Sequence, residues 1–152
     1  MAMRMRGVKW IAGAIALGAF ALALSYWMRS PGCIAIGGTD GVSIALTQLG
    51  RGEAKLFCYH GAGGDKIRLI LARGNDGAVH SVFDACHQCY AYRRGYRLSR
   101  DGLVCRVCGN RYSVDRMMVG QASCVPVSVP HKVVGGTVRI SNSDIRAGRA
   151  LF

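Results

Sequence analysis

Two short cysteine pairs constrain this chain more than any other feature: Cys86-His87-Gln88-Cys89 and, fifteen residues on, Cys105-Arg106-Val107-Cys108. The C-x2-C-x15-C-x2-C spacing is that of a four-thiolate metal site. In each pair a tight turn brings two thiolates within reach of one ion, and two such knuckles facing each other complete a tetrahedron. Gly109 follows the second knuckle, where a turn's exit favours positive φ. Tyr90 holds the matching place in the first, so the halves differ. Tetrahedral sulfur suits an iron–sulfur cluster, mononuclear iron or zinc. The competing reading is a pair of disulfides, or a reduced CxxC doing thiol exchange. A thioredoxin-like site would want a single CxxC in a βαβ pattern, which is missing.

Seven cysteines are an odd number, so disulfides alone cannot use them all. Cys33 and Cys58 are free to pair with each other. Cys124, in Ala122-Ser123-Cys124-Val125-Pro126, is either a small buried apolar residue or an extra thiol at the site. Among the histidines, His87 lies inside the first knuckle and is the best candidate to stand behind the ligands; His60 is a distant next. Seven arginines (93, 94, 97, 100, 106, 111 and 116) crowd this stretch against Asp101 and Asp115. Four thiolates on a divalent ion leave a negative site. Arg93, Arg94, Arg97, Arg106 and Arg111 are candidates to offset that charge, raise a reduction potential, or dock an acidic partner or lipid headgroups. The plain alternative is a solvated basic face.

Residues 10–28 carry no charge and are long enough, as a helix of about 28 Å, to cross a hydrocarbon core. Trp10, Tyr26 and Trp27 mark the two ends, and Arg4, Arg6 and Lys9 outnumber Arg29 beyond. The positive-inside rule then sends the rest of the chain out of the cytoplasm. A cleaved signal peptide, with Ala21 and Ala23 as its small-residue site, is the other reading, and it exports the domain too. The expected organisation is 1–29 as cytoplasmic tail and transmembrane signal-anchor, 30–54 as linker and first strand, and 55–152 as an extracytoplasmic cysteine-rich metal domain. Localisation follows: a single pass of the inner (cytoplasmic) membrane, with the domain on the periplasmic side. Export sets nucleic acid aside as a partner, despite a formal charge of +12.

The exported part reads as mainly β, a small domain around a rubredoxin- or zinc-ribbon-like site. Val42–Leu46 is an apolar run. Lys55–His60 alternates weakly. Ile67, Leu69 and Leu71 alternate with Lys66, Arg68 and Ile70 as a half-buried strand. Asn75-Asp76-Gly77 signals a hairpin, and Val79–Phe83 returns to Cys86. Leu103–Cys105 and Arg111–Val114 flank the second knuckle, and Val133–Ile140 is a late strand. Ser143 is placed to cap a short helix from Asp144 that Gly148 ends. No carboxylate pair, serine elbow or phosphate loop supports hydrolytic or phosphoryl chemistry, so an electron carrier fits better than an enzyme with its own substrate. The alternative is a non-redox module, stabilised by zinc, that docks a membrane transport partner.

Phe83-Asp84-Ala85-Cys86-x-x-Cys89-Tyr90, Gly95-Tyr96, Cys105-x-x-Cys108-Gly109-Asn110-Arg111-Tyr112 and Cys124-x-Pro126 together resemble the FtrD-like membrane iron–sulfur proteins. The resemblance runs over about residues 42–152. It implies a membrane-tethered iron–sulfur protein that passes electrons beside a ferrous-iron permease, with Cys86, Cys89, Cys105 and Cys108 as ligands. It also draws attention to Cys124, because the family pattern carries a cysteine there. The family's Gly-Gly-Cys-Asn-Pro becomes Ala122-Ser123-Cys124-Val125-Pro126 in this chain, which removes the glycines' backbone freedom.

Overall fold

The computed structural model describes residues 32–61, 64–119 and 124–152. Cys33–Phe152 is one compact unit. Its strands are β1 (Ile34–Ile36), β2 (Gly41–Ala45), β3 (Glu53–His60), β4 (Lys66–Arg73), β5 (Val79–Cys86), β6 (Tyr96–Ser99), β7 (Gly102–Cys105), β8 (Arg111–Ser113), β9 (Pro126–Ser128), β10 (Lys132–Val134) and β11 (Thr137–Ser141). One helix, α1 (Asn142–Ala147), follows β11.

The mainly-β expectation stands, at 47% strand, but the transmembrane part of the expected fold class is corrected. Among the described residues no helix is long and apolar enough to cross a membrane, and α1 is six residues long. The apolar run 10–28 lies outside the described residues.

Three sheets build the unit. The central one has the order β1-β3-β4-β5-β9, antiparallel except for the parallel pairing of β1 with β3. The others run β10-β11-β2 and β6-β7-β8. Because side chains alternate across a strand, β4 and β5 serve two cores. Ile67, Leu69, Leu71, Phe83 and Ala85 face the first, with Val42, Ile44, Val138, Ile140 and Ile145 opposite. Ile70, Ala72, Val82 and Cys86 face the second, with Tyr96, Leu103, Tyr112 and Met117. Burying each large side chain contributes about 1.5–3 kcal/mol. The half-buried reading of β4 is corrected accordingly: its far face is covered by the cysteine-bearing sheet.

The Val133–Ile140 run is two strands, split by a Gly135-Gly136 turn into β10 and β11. Ser141, not Ser143, caps α1: still extended at the end of β11, its hydroxyl accepts the Asp144 amide at 3.1 Å. Buried Asp65 holds the C-terminal region through Arg149 at 2.8 Å and Arg146 at 3.8 Å. A disulfide joins Cys33 to Cys58, tying the start of β1 to β3.

Candidate metal centre

Each knuckle hangs from the end of a strand in the second core. Cys86 is the last residue of β5, and the Cys89 amide returns to its carbonyl at 3.1 Å. A 3-10 turn, Tyr90–Tyr92, then carries the chain to Arg93 and Gly95, both with positive φ. Cys105 ends β7, and the Gly109 amide closes the second knuckle onto the Cys105 carbonyl at 3.0 Å, with Gly109 at φ 76°. Backbone amides of Gln88 and Cys89 point at the Cys86 sulfur, and that of Asn110 at the Cys108 sulfur. These bonds favour the thiolate a metal requires.

The segment between the knuckles braces both. The Asp84 carboxylate, buried on the same face of β5 as Cys86, accepts the Tyr96 amide at 2.6 Å and pairs with Arg68 at 3.1 Å. From the other side the Arg106 amide reaches the Gly95 carbonyl, and its Nε the Tyr96 carbonyl, each at 3.0 Å. Burial pushes the Asp84 pKa up, against the Tyr96 amide and the charges of Arg68 and Arg106.

A fifth thiol enters through β9. Cys86 is opposite Pro126 in the β5–β9 pairing, and the His87 amide binds the Val125 carbonyl at 3.0 Å. This sets Cys124 between the knuckles, its sulfur 2.8 Å from Cys86, 3.1 Å from Cys108 and 3.9 Å from Cys89. The Tyr112 hydroxyl donates to the Cys124 carbonyl and fixes that position. The sulfurs form two groups of three, Cys86–Cys89–Cys124 and Cys89–Cys105–Cys108, each within 4.8 Å. Cys86, Cys105 and Cys124 are buried, Cys89 is half-buried and Cys108 is exposed.

Five crowded thiols cannot all ionise freely. Burial opposes ionisation of Cys108, but the Asn110 amide and the thiols of Cys124, Cys105 and Cys89 outweigh it and bring Cys108 down to about 7. Burial, joined by Cys86 and Cys108, pushes Cys124 up to about 12. A cation relieves this competition, because it stabilises every thiolate at once.

Among the described residues no histidine joins the two sulfur groups. His87 is exposed on the outer side of its turn, and His60 sits at the exposed end of β3 opposite Lys66. Arg93, Arg94, Arg97, Arg100, Arg106, Arg111 and Arg116 are all exposed. Among the described residues none of them forms an ion pair. Sequence reasoning underrated two groups. Cys124 is placed by strand pairing 38 residues away from Cys86. The Tyr96 hydroxyl lies beside Cys86, buried and without a well-formed hydrogen bond. A buried donor in want of an acceptor, next to an all-sulfur donor set, fits an iron–sulfur cluster, whose sulfurs accept such bonds.

A mainly-β domain with convergent thiols defines a class of metal-binding protein. Residues 49–152 match the family described as membrane iron-sulfur containing protein FtrD-like, and the chain belongs to that family. The ferredoxin of carbazole 1,9a-dioxygenase from Nocardioides aromaticivorans IC177 is a similar solved structure. It is 16% identical, with a TM-score of 0.45 over 68% of this chain and 98% of that one, a likeness too slight to carry an argument. No curated protein matches. The family's description and the clustered thiols together support a metal-binding role.

Proposed function

We propose that this is an extracytoplasmic electron-transfer protein whose cysteines hold an iron–sulfur cluster and which serves an iron transport system in the membrane. The observation that carries the reading is the pocket itself: sulfur donors converge in a buried core while one of them, Cys108, reaches the surface. A cluster held there would take up and release single electrons. The chain's own residues insulate it with Tyr96, Leu103 and Tyr112, hold the Cys86 and Cys108 sulfurs in place through backbone amides, and leave Cys108 as the near edge to a partner. The Cys33–Cys58 disulfide supports an oxidising compartment. The link to iron transport, and to a permease or redox partner protein, rests on the family resemblance.

The test is anaerobic purification of the full chain, followed by iron, zinc and acid-labile sulfide analysis, reductive titration and EPR. Iron with sulfide and a reducible signal is expected. A colourless protein with stoichiometric zinc and no reducible centre would overturn the reading in favour of a zinc-stabilised docking module.

The unpaired arginines add a prediction. Exposed Tyr90 and Tyr92 adjoin Arg93 and Arg94 in the turn after Cys89, and exposed Val107 and Arg111 flank Cys108 in the chain. Reversing those three charges to Glu should slow oxidation of the reduced protein by ferricyanide about tenfold at low salt. The difference should vanish near 1 M salt, where screening is nearly complete. Equal rates at low salt would show that the arginines do not steer electron exchange.

A further inference from the structure

We infer that Cys124 is a full metal ligand, and that the five sulfurs form a second kind of site: two three-thiolate seats sharing Cys89, which take two monovalent copper ions. This goes beyond the iron–sulfur reading, since it concerns the same thiols with a different, thiophilic metal and no inorganic sulfide.

Cys124 does not stand behind the knuckle cysteines. Its sulfur contacts Cys86 at 2.8 Å, Cys108 at 3.1 Å and Cys89 at 3.9 Å, so it lies in the space the two knuckles enclose. An ion bonded to Cys86 and Cys89 is therefore within bonding reach of Cys124 as well. The sulfurs then group as Cys86–Cys89–Cys124 and Cys89–Cys105–Cys108, with Cys124 also bordering the second group at 3.1 Å from Cys108. Cys89 belongs to both, and a thiolate has the lone pairs to bridge two ions.

The count selects the metal. Five sulfurs with one shared give each ion three. Zinc prefers four ligands in a structural site, whereas thiolates are the soft donors that select Cu(I), which is stable with three. A metal–sulfur bond of about 2.3 Å places three trigonal sulfurs about 4 Å apart. The Cys89–Cys124 separation already meets this. The two shorter contacts to Cys124 open by about 1 Å as their thiol protons leave, a side-chain adjustment. Cys108 and Cys89, at least partly exposed, give the ions a way in.

The charges balance. Two Cu+ and five thiols yield two bound ions, five thiolates and five released protons, with no electron transferred. The product carries three negative charges, which Arg106 within the second knuckle and Arg111 just after it partly offset. The buried surroundings of Cys86 and Cys124 shield the first seat from water more than the second, which opens at Cys108.

The experiment uses the full chain, purified anaerobically without metal, and titrated with tetrakis(acetonitrile)copper(I) against bathocuproine disulfonate. Two copper ions per chain are expected, with proton release and the luminescence of a copper–thiolate centre. Cys124→Ser should bind one ion tightly and lose the second by at least a hundredfold in affinity. Cys108→Ser should do the same from the other seat. Circular dichroism checks that each variant is folded; should Cys124→Ser fail that check, Cys124→Ala and Cys108→Ser carry the test. One copper per wild-type chain, or two retained without Cys124, would overturn the proposal. Iron and sulfide analysis is independent of this titration, so the electron-transfer reading and the copper site can fail separately.

Discussion

Cys105→Ser should cost the protein its iron and melt one half of the domain while leaving the other half folded. Cys105 is buried, ends β7, and its amide is tied to Asn110 at 2.9 Å, so it fixes both ends of the second knuckle. Serine cannot replace a thiolate for a soft metal, and the free energy of binding is also folding free energy. The loss is not uniform. The first core, around Phe57, Leu69, Leu71, Val138 and Ile145, contains no metal-site cysteine. The second core includes Cys86, Cys105 and Cys124 among its buried residues and holds β6-β7-β8 against the central sheet. Amide exchange in β7 and β8 should accelerate at least a hundredfold, corresponding to a local loss of about 3 kcal/mol. Exchange in β3 and β4 should change much less. Hydrogen-exchange mass spectrometry with metal analysis checks both. A variant with full metal occupancy would remove Cys105 from the ligand set; uniform loss of protection would show that the two cores are not separable.

That division was only partly legible in the sequence. The two knuckle turns were, because each is local, with its cysteines three residues apart. The strands from Lys55 to Cys86 were too, since apolar alternation and the Asn75-Asp76-Gly77 hairpin are local signals. What escaped depends on partners far away in the chain. Ile70 looks like an interruption on a solvent face until β6-β7-β8 covers it. Cys124 looks like an isolated small residue until β9 pairs with β5 and delivers it between the knuckles. The cap of α1 was misplaced by two residues because Ser141 and Ser143 are equally good caps by composition. Only the end of β11 puts Ser141 in the extended conformation a cap needs. His87 read as a site residue by proximity alone. The knuckle turn directs its amide to Val125 and leaves the residue exposed.

Asp84→Ala should destabilise the metal-loaded protein by about 3 kcal/mol, and Gly95→Ala should do comparable damage from the opposite side of the same contact. The Asp84 side chain is 3% exposed, so removing it leaves the Tyr96 amide and Arg68 without their acceptor in a dry place. Loss of a hydrogen bond to a charged acceptor costs about 1.5–3 kcal/mol, and breaking a buried ion pair more; Arg68 is partly exposed, which lowers its share. Gly95 has φ 61°, and a Cβ there would collide with both carboxylate oxygens of Asp84. Alanine must therefore strain the backbone and evict the acceptor together, at about 2–4 kcal/mol. Asp84→Asn separates the two jobs of the carboxylate. Its amide oxygen still accepts from Tyr96, and it loses the charge that burial already disfavours together with the pairing to the partly exposed Arg68, so it should retain more than half of the wild-type contribution. Urea unfolding of the loaded protein measures all three variants. The Gly95-Tyr96 segment touches Asp84 near one knuckle and Arg106 within the other, so the damage should reach both cysteine pairs. Asp84→Ala and Gly95→Ala should therefore also release metal faster on chelator challenge. An Asp84→Ala protein within 0.5 kcal/mol of wild type would show that the knuckles are held by their metal and not by this brace.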